Sequence, residues 1–147
     1  MKKKIIYALI VIVIIGIAGG AYGLYLFYKP AKNFATSKAE ITMTAKQIFD
    51  EFTSNQDAAN QKYVSKDKTI QLSGMVKEIS KNQDGSIIIR LDVSNPDGDV
   101  SCTIVTEQAL KVDKYKLGTN ITVKGQCTGY EELISKEVQM IGCAIID

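Results

Sequence analysis

The amino-acid sequence predicts an all-β domain, a five-stranded Greek-key barrel, preceded by an amphipathic α-helix and an N-terminal transmembrane helix. Three observations lead to this prediction. Residues 5–28 contain no charged side chain, and apolar residues after Thr44 recur at helical spacing. From Lys68 onward, five segments alternate apolar and polar residues between strong turn signals. The 147 residues leave room for one modest domain beyond the apolar run.

Residues 1–28 are predicted to form a membrane anchor. A helix over residues 5–28 would be about 36 Å long and would cross a hydrocarbon core of roughly 30 Å. The lysines at positions 2–4 favour a cytoplasmic N-terminus, which places the C-terminal domain of this single-pass chain outside the cytoplasm. Cleavage as a signal peptide is the alternative, because the small residues at 18–21 offer a peptidase site.

The charge balance of the remaining chain is slightly acidic. Of the 18 lysines and arginines, Lys2, Lys3, Lys4 and Lys29 belong to the anchor or flank it, whereas all 16 acidic residues follow it. The soluble part therefore has 14 basic residues against 16 acidic ones. A protein that holds nucleic acid through its phosphates needs a positive surface, so this balance disfavours nucleic acid as a partner.

Residues 29–43 are polar and contain few bulky side chains, so they are predicted to be a tether. The domain is then expected over residues 44–147, starting with a helix that Thr44 caps, with Gln47 completing a capping box. Its apolar stripe consists of Ala45, Ile48, Phe49 and Phe52 and is expected to pack onto the barrel. NQDAANQKYV is a second helical stretch that could continue the same helix.

Five strands are predicted from alternating apolar residues, and the first contains Gly74, where a bend lets one strand pair with two neighbours. In chain order the strands are KTIQLSGMVKEI, SIIIRLDV, DVSCTIVT, NITVKGQC and EVQMIGCAII, with a short helix in EQALKVDKYKLG. This order has three meandering strands, then a helical connection, then two further strands. It is the order of the oligonucleotide/oligosaccharide-binding barrel, or OB-fold. An open antiparallel sheet with a helix across it is the alternative.

Several of these segments resemble a known family. The helix AKQIFDEFTSNQDAANQKYVSK, followed by IQLSGMVKEIS, VSCTIV, LGTNITVKGQCTGY and GCAII, is similar to the tRNA_anti-like family of OB-fold proteins, commonly found behind a membrane anchor in bacteria. The resemblance covers residues 45–146 and implies the OB-fold. It implies no catalytic residues, and the family name records a likeness in fold to anticodon-binding domains rather than RNA binding.

Cys102, Cys127 and Cys143 each fall on the apolar side of a predicted strand and are expected to point inward. Exported thiols are often oxidised, so two states stay open: three buried free thiols, or one disulfide and one thiol. Cys143 is the common partner in both pairings considered, with Cys102 on a neighbouring barrel strand or with Cys127 across the final hairpin. A zinc site is disfavoured because the chain has no CxxC pair and no histidine.

No catalytic residue, cofactor or metal is predicted. The chain has no histidine, no GxSxG or HExxH motif and no phosphate-binding glycine loop. The segment NPDGDV alternates oxygen-bearing side chains, but a tight turn explains it and the distal glutamate of a calcium loop is missing. The protein is therefore expected to bind rather than to catalyse.

The outer surface of the second and third predicted strands, with its flanking loops, is where OB-folds hold ligands. The candidate ligand-binding residues there are Lys81, Asn82, Arg90, Asp92, Thr103 and Tyr130. This surface is mixed in charge and has no strand-borne aromatic residue on which a base could stack. We expect a binding module whose ligand is an unidentified protein or envelope component, with a nucleic-acid-binding OB protein as the alternative.

Overall fold

The computed structural model describes residues 2–28, 32–65 and 67–146, and the chain divides into two units, Met1–Ala31 and Lys32–Asp147. The first unit contains the helix α1 (Lys2–Tyr28), whose described side chains are all exposed. Its stretch Lys3–Tyr28 is long and apolar enough to cross a membrane, as the sequence predicted. Its orientation in a membrane stays a prediction.

Six strands are described in the second unit. They are β1 (Ile41–Thr44), β2 (Ile70–Lys81), β3 (Ile87–Asp92), β4 (Gly98–Ile104), β5 (Asn120–Glu131) and β6 (Lys136–Ile146). Their order in the sheet is β1-β2-β3-β4-β6-β5, and β2 also pairs with β5. Strands β4 and β6 are parallel, whereas the other barrel pairs are antiparallel. The predicted five-stranded Greek-key OB-fold barrel is therefore confirmed, and its closure through β2 and β5 excludes the open sheet.

The long strand β2 turns a corner of the barrel at its middle. Its first half, from Ile70 to Met75, pairs with β5, and its second half, from Val76, pairs with β3, with a register shift between Val76 and Glu78. Gly74 lies at this corner, where a Cβ atom would come within 3.1 Å of the Cβ of Ala45. Glycine therefore lets the following helix pack closely onto the bend, which the sequence predicted at this residue.

The predicted tether over residues 29–43 requires a correction. Residues Ile41–Thr44 form β1, which pairs in parallel with the first half of β2, along the edge that β3 leaves free. Upstream, the ring of Phe34 is buried and packs against Gly142. A Cβ atom added to Gly142 would lie 2.9 Å from a carbon of this ring. The domain therefore begins before residue 44, because the β2 edge and a groove beside Gly142 hold this segment. Residues 29–31 lie outside the described part of the chain.

Two helices follow β1, α2 (Ala45–Ser54) and α3 (Gln56–Tyr63). The predicted capping box is confirmed, since the Gln47 backbone N–H donates to the Thr44 hydroxyl at 3.2 Å and the Thr44 N–H donates to the Gln47 side chain at 2.8 Å. The interpretation of one continuous helix is wrong. Asn55 has extended backbone angles that end α2, and its side chain accepts the Ala58 N–H and so caps α3.

The connection between β4 and β5 is less helical than predicted. A 3₁₀ turn (Thr106–Gln108) leads into the single-turn helix α4 (Ala109–Val112), and Gly118 then adopts a positive φ of 82° before β5. Val112 is the buried residue of this helix and joins the barrel core.

The buried residues of the hydrophobic core of the second unit lie between positions 45 and 145, and Ile41 and Met43 of β1 pack against them. Inward-facing strand residues in this core are Ile70, Leu72, Val76, Ile87, Ile89, Leu91, Val100, Cys102, Ile104, Ile121, Val123, Cys127, Val138, Met140, Cys143 and Ile145. The predicted apolar stripe of α2 packs against this core, with Ala45, Ile48, Phe49 and Phe52 all buried. Gly98 of β4 provides space for the Phe49 ring, because a Cβ atom there would lie 2.3 Å from its Cζ. Helix α2 is thus an integral part of the domain.

Candidate ligand-binding face

The outward side chains of β3, β4 and β6 form one continuous surface, which we call the outer face. It consists of Ile88, Arg90, Asp92, Asp99, Ser101, Thr103, Glu137, Gln139 and Ile141. The strand register aligns them in rows across the three strands, so that Asp92, Asp99 and Glu137 form one row. The adjacent row contains Arg90, Ser101 and Gln139. Residues distant in sequence therefore meet on this face.

Arg90 is at the centre of an ion-pair network on the outer face. Its Nη1 donates to a Glu137 carboxylate oxygen at 2.6 Å and lies 3.4 Å from Asp99 Oδ1. Its Nε lies 3.8 Å from a carboxylate oxygen of Glu78, on the neighbouring β2. Burial opposes the charged form of Arg90, but the carboxylates of Asp99 and Glu137 outweigh it, so the pKa of the guanidinium is raised. The guanidinium is therefore held by acids of this same chain.

Asp99 is the most buried acid of the outer face, with only 6% of its surface exposed. Burial raises its pKa, although Arg90 acts in the opposite direction, and Glu137 adds to the increase by like-charge repulsion. Lys77 lies 3.9 Å from the Asp99 carboxylate and donates to the backbone carbonyl of Gly98 at 3.0 Å. Asp99 is therefore costly to ionise and is stabilised by two cations.

The structure brings together three of the six predicted ligand-binding residues, since Arg90, Asp92 and Thr103 all lie on the outer face. Lys81 ends β2 and Asn82 begins the turn into β3, so both lie where β3 starts. The side-chain amide of Asn82 donates to the hydroxyl of Ser86 at 2.9 Å, and its backbone N–H donates to the Ser86 carbonyl at 2.9 Å. Asn82 therefore stabilises the turn.

The prediction for Tyr130 requires a correction, because this residue does not lie on a loop. It belongs to β5 and pairs with Val138, and residues 132–135 connect β5 to β6. Its ring stacks on Phe52 at a centroid distance of 5.8 Å and meets Phe49 edge-on at 6.3 Å. Tyr130 therefore packs against α2, and its place is in the helix–barrel contact rather than on a ligand-binding loop.

Sequence reasoning missed the acids that surround Arg90. The sequence predicts Asp99 only as part of a turn, and nothing local in it points to Glu78 or to Glu137, which lies 47 positions from Arg90. The signal that could have found them was the strand register, which places Asp99 and Glu137 side by side. Reading that register requires the parallel pairing of β4 and β6.

The loop between β5 and β6 presents two exposed apolar side chains. Leu133 is 91% exposed and Ile134 is 97% exposed. No aromatic side chain within residues 32–65 and 67–146 is exposed, since all six are buried or half-buried. Any apolar contact at this loop would therefore be aliphatic.

The three cysteines are buried free thiols in this structure, and their predicted inward orientation is confirmed. Burial raises the pKa of Cys127 to about 11. A hydrogen bond with the Cys102 thiol, together with burial, raises the pKa of Cys143. Among the described residues, no group of three or more histidine, cysteine or acidic side chains is arranged to hold a metal ion.

Solved structures include one whose fold is similar to that of this chain and others with a weaker likeness. A lipoprotein from Klebsiella pneumoniae, described provisionally as nucleic acid-binding, superposes with a TM-score of 0.54 at 19% identity, over 71% of this chain and 91% of that one. An asparaginyl-tRNA synthetase from Entamoeba histolytica gives a TM-score of 0.38 at 19% identity, over 54% of this chain and 20% of the synthetase. The S. pombe Stn1–Ten1 complex gives 0.39 at 12% identity, over 53% and 57%.

A search of curated proteins found no match. The model of the tRNA_anti-like family, in contrast, matches residues 1–138, which is most of the chain and includes the barrel up to the start of β6. The resemblance noted in the sequence is thereby confirmed, and the chain belongs to the tRNA_anti-like family.

Proposed function

We propose that this protein is a membrane-anchored, extracytoplasmic binding module that uses the outer face of its OB-fold to hold a protein or envelope component. The observation that carries the proposal is the position of Arg90, whose guanidinium is bound by Glu137 and Asp99. An arginine held in this way has little capacity left for a phosphate group. Arg90 is the one cation among the outward strand side chains of this face, so these strands offer no unpaired cation of the kind that holds phosphates.

The charge of the outer face supports this choice of ligand class. Three acids, Asp92, Asp99 and Glu137, accompany the single cation Arg90 among its side chains. A phosphate backbone approaching this surface meets net negative charge, whereas proteins that bind single strands combine a basic groove with exposed aromatic rings. The aliphatic side chains at 133 and 134 suit a protein surface better than a base.

The membrane location is supported by α1. Its stretch Lys3–Tyr28 carries the length and apolarity of a spanning helix, and the lysines at positions 2–4 favour a cytoplasmic N-terminus. The similar Klebsiella pneumoniae protein is described as a lipoprotein, which is consistent with attachment to a membrane. Its provisional description as a nucleic acid binder also makes nucleic acid the alternative that an experiment must exclude.

The proposal involves binding without catalysis. Arg90 engages Asp99 and Glu137, and Lys77 also lies near Asp99. The remaining acid of the outer face, Asp92, accepts the backbone N–H of Ser94 at 3.2 Å. The thiols are enclosed in the barrel, and the raised pKa of Cys127 keeps this group protonated at neutral pH.

The ligand class is tested by fluorescence anisotropy of the full-length protein in a nonionic detergent, with labelled single-stranded DNA and RNA of mixed sequence across a salt series. We expect no binding at tens of micromolar protein. Glu78→Lys, which adds positive charge at the edge of the face, should acquire weak, salt-sensitive binding, whereas Glu51→Lys on α2 should not. Wild-type binding that weakens steeply with salt would overturn the proposal in favour of nucleic acid.

The location is tested in cells that express the full chain. A protease added outside the cytoplasmic membrane should digest the domain and leave a short fragment containing α1. Protection of the domain until the membrane is permeabilised would refute the extracytoplasmic placement, independently of the binding result.

A further inference from the structure

The interior of the barrel contains three thiols whose positions are unequal. Cys102 lies on β4, Cys127 on β5 and Cys143 on β6, and none of them is exposed. Strand β6 lies between β4 and β5 in the sheet, so Cys143 is on the strand that both of the others neighbour. The structure therefore decides which pair is placed to react.

The pair best placed is Cys102 and Cys143. Strands β4 and β6 run parallel, with Cys102 opposite Met140 and Ile104 opposite Cys143, and a register shift lies between these two positions. Across this shift β6 advances three residues while β4 advances two. Beyond it, the backbone N–H of Val105 donates to the Cys143 carbonyl at 2.9 Å. Of the causes that raise the pKa of Cys143, a hydrogen bond with the Cys102 thiol is the largest. Cys127 also lies opposite Met140, across the antiparallel β5 and β6, and its effect on Cys143 is the smallest of the causes that raise that thiol's pKa.

A glycine on β5 provides space for the Cys143 sulfur. If Gly125 carried a Cβ atom, that atom would lie 2.6 Å from the sulfur and 2.9 Å from the Ile141 carbonyl oxygen. Any larger residue at 125 would therefore displace the sulfur from its position. The buried Gly125 thus keeps the Cys143 thiol inside the barrel, within reach of Cys102.

We propose that Cys102 and Cys143 are a disulfide-forming pair that links β4 to β6, while Cys127 remains a thiol. The oxidant is a disulfide-bearing reagent of the kind present outside the cytoplasm. One cysteine thiolate attacks that disulfide, which forms a mixed disulfide and releases one reagent thiol. The second cysteine then attacks the mixed disulfide, so that the protein S–S bond forms and a second reagent thiol leaves. Two protein thiols are oxidised and one reagent disulfide is reduced.

Complete burial determines when this reaction takes place. Neither sulfur is accessible in the closed barrel. Thiol–disulfide exchange therefore takes place during folding, before β6 pairs with β4, or when these two strands separate. The resulting bond joins the two strands that carry Asp99 and Glu137, and it would fix the spacing of the acidic row on the outer face.

The test is refolding of the full-length protein in detergent. Protein that has been denatured and reduced is refolded with a mixture of oxidised and reduced glutathione, alkylated under denaturing conditions, and analysed by intact mass and peptide mapping. We expect the wild type to take up one alkyl group, at Cys127, and to yield a peptide linked through Cys102 and Cys143. Cys127→Ser should form the same link and take up none, whereas Cys143→Ser should take up two.

Three alkyl groups on the refolded wild type would overturn the proposal, as would a link that involves Cys127 or a stable glutathione adduct. Oxidised Cys127→Ser should also have a higher urea midpoint than its reduced form, because the link restricts the unfolded chain. If Cys127→Ser does not fold, the wild-type peptide map alone decides the outcome.

Discussion

Replacing Arg90 by methionine tests the central claim about the outer face. Methionine keeps an apolar stem of similar reach but removes the guanidinium, and so leaves Asp99 and Glu137 without their shared partner. Breaking a fully buried ion pair by removing one partner costs about 3–5 kcal/mol. The Arg90 side chain is 27% exposed, whereas those of Asp99 and Glu137 are 9% and 15% exposed. Since solvent screens part of the loss, we expect Arg90→Met to lower the free energy of unfolding by about 2 kcal/mol.

The assay is urea denaturation of the full-length protein in detergent, followed by tyrosine fluorescence, because Tyr63 and Tyr130 lie in or against the core. Lys46→Met is the matched control. It removes a 2.7 Å pair with Asp50 in which both side chains are 54% exposed, so we expect a loss of only about 0.3–0.5 kcal/mol. If Arg90→Met destabilised the domain no more than this control, the network would not be the ordered feature on which the proposed function depends.

Two further predictions concern the packing and titration of the same region. Because burial raises the pKa of Asp99, the folded state holds its proton more tightly than the unfolded chain. Its contribution to stability is therefore full below the unfolded pKa and is lost as pH rises through the raised value. The stability of the wild type relative to Asp99→Asn should fall over that range in urea titrations, and a flat difference would contradict the assignment. Gly98→Ala should cost about 1–3 kcal/mol, because the new Cβ would lie 2.3 Å from the Phe49 ring. Phe49→Leu should recover part of that loss in a double-mutant cycle, and additive losses would contradict the proposed contact.

Features that depend on local chemistry were predictable from the sequence. The capping box at Thr44 and Gln47 needs only residues within one helical turn, and it is formed as expected. The alternation in β3 predicted which of its side chains would be buried, and Gly74 predicted the bend in β2. In each case the signal and its structural result lie within a few residues of each other.

Features that depend on long-range pairing could not be predicted in the same way. Strand β1 has only four residues, and it forms because β2 offers an unpaired edge 29 residues along the chain. The predicted fourth strand ends at Cys127 and so leaves Tyr130 on a loop, whereas β5 continues through Gly129 after a register shift between Cys127 and Gly129. The Arg90–Glu137 pair depends on the order of β3, β4 and β6 in the barrel.

The position of β1 has a consequence for the solubility of the domain. A version trimmed to begin at residue 44 would lose nearly all of the strand that covers Ile70–Ser73 on the side not occupied by β5. The backbone N–H and C=O groups along that edge would then be open to solvent and to other chains. Open edges of this kind act as templates for strand addition and aggregation. The short segment before α2 therefore protects the barrel against self-association.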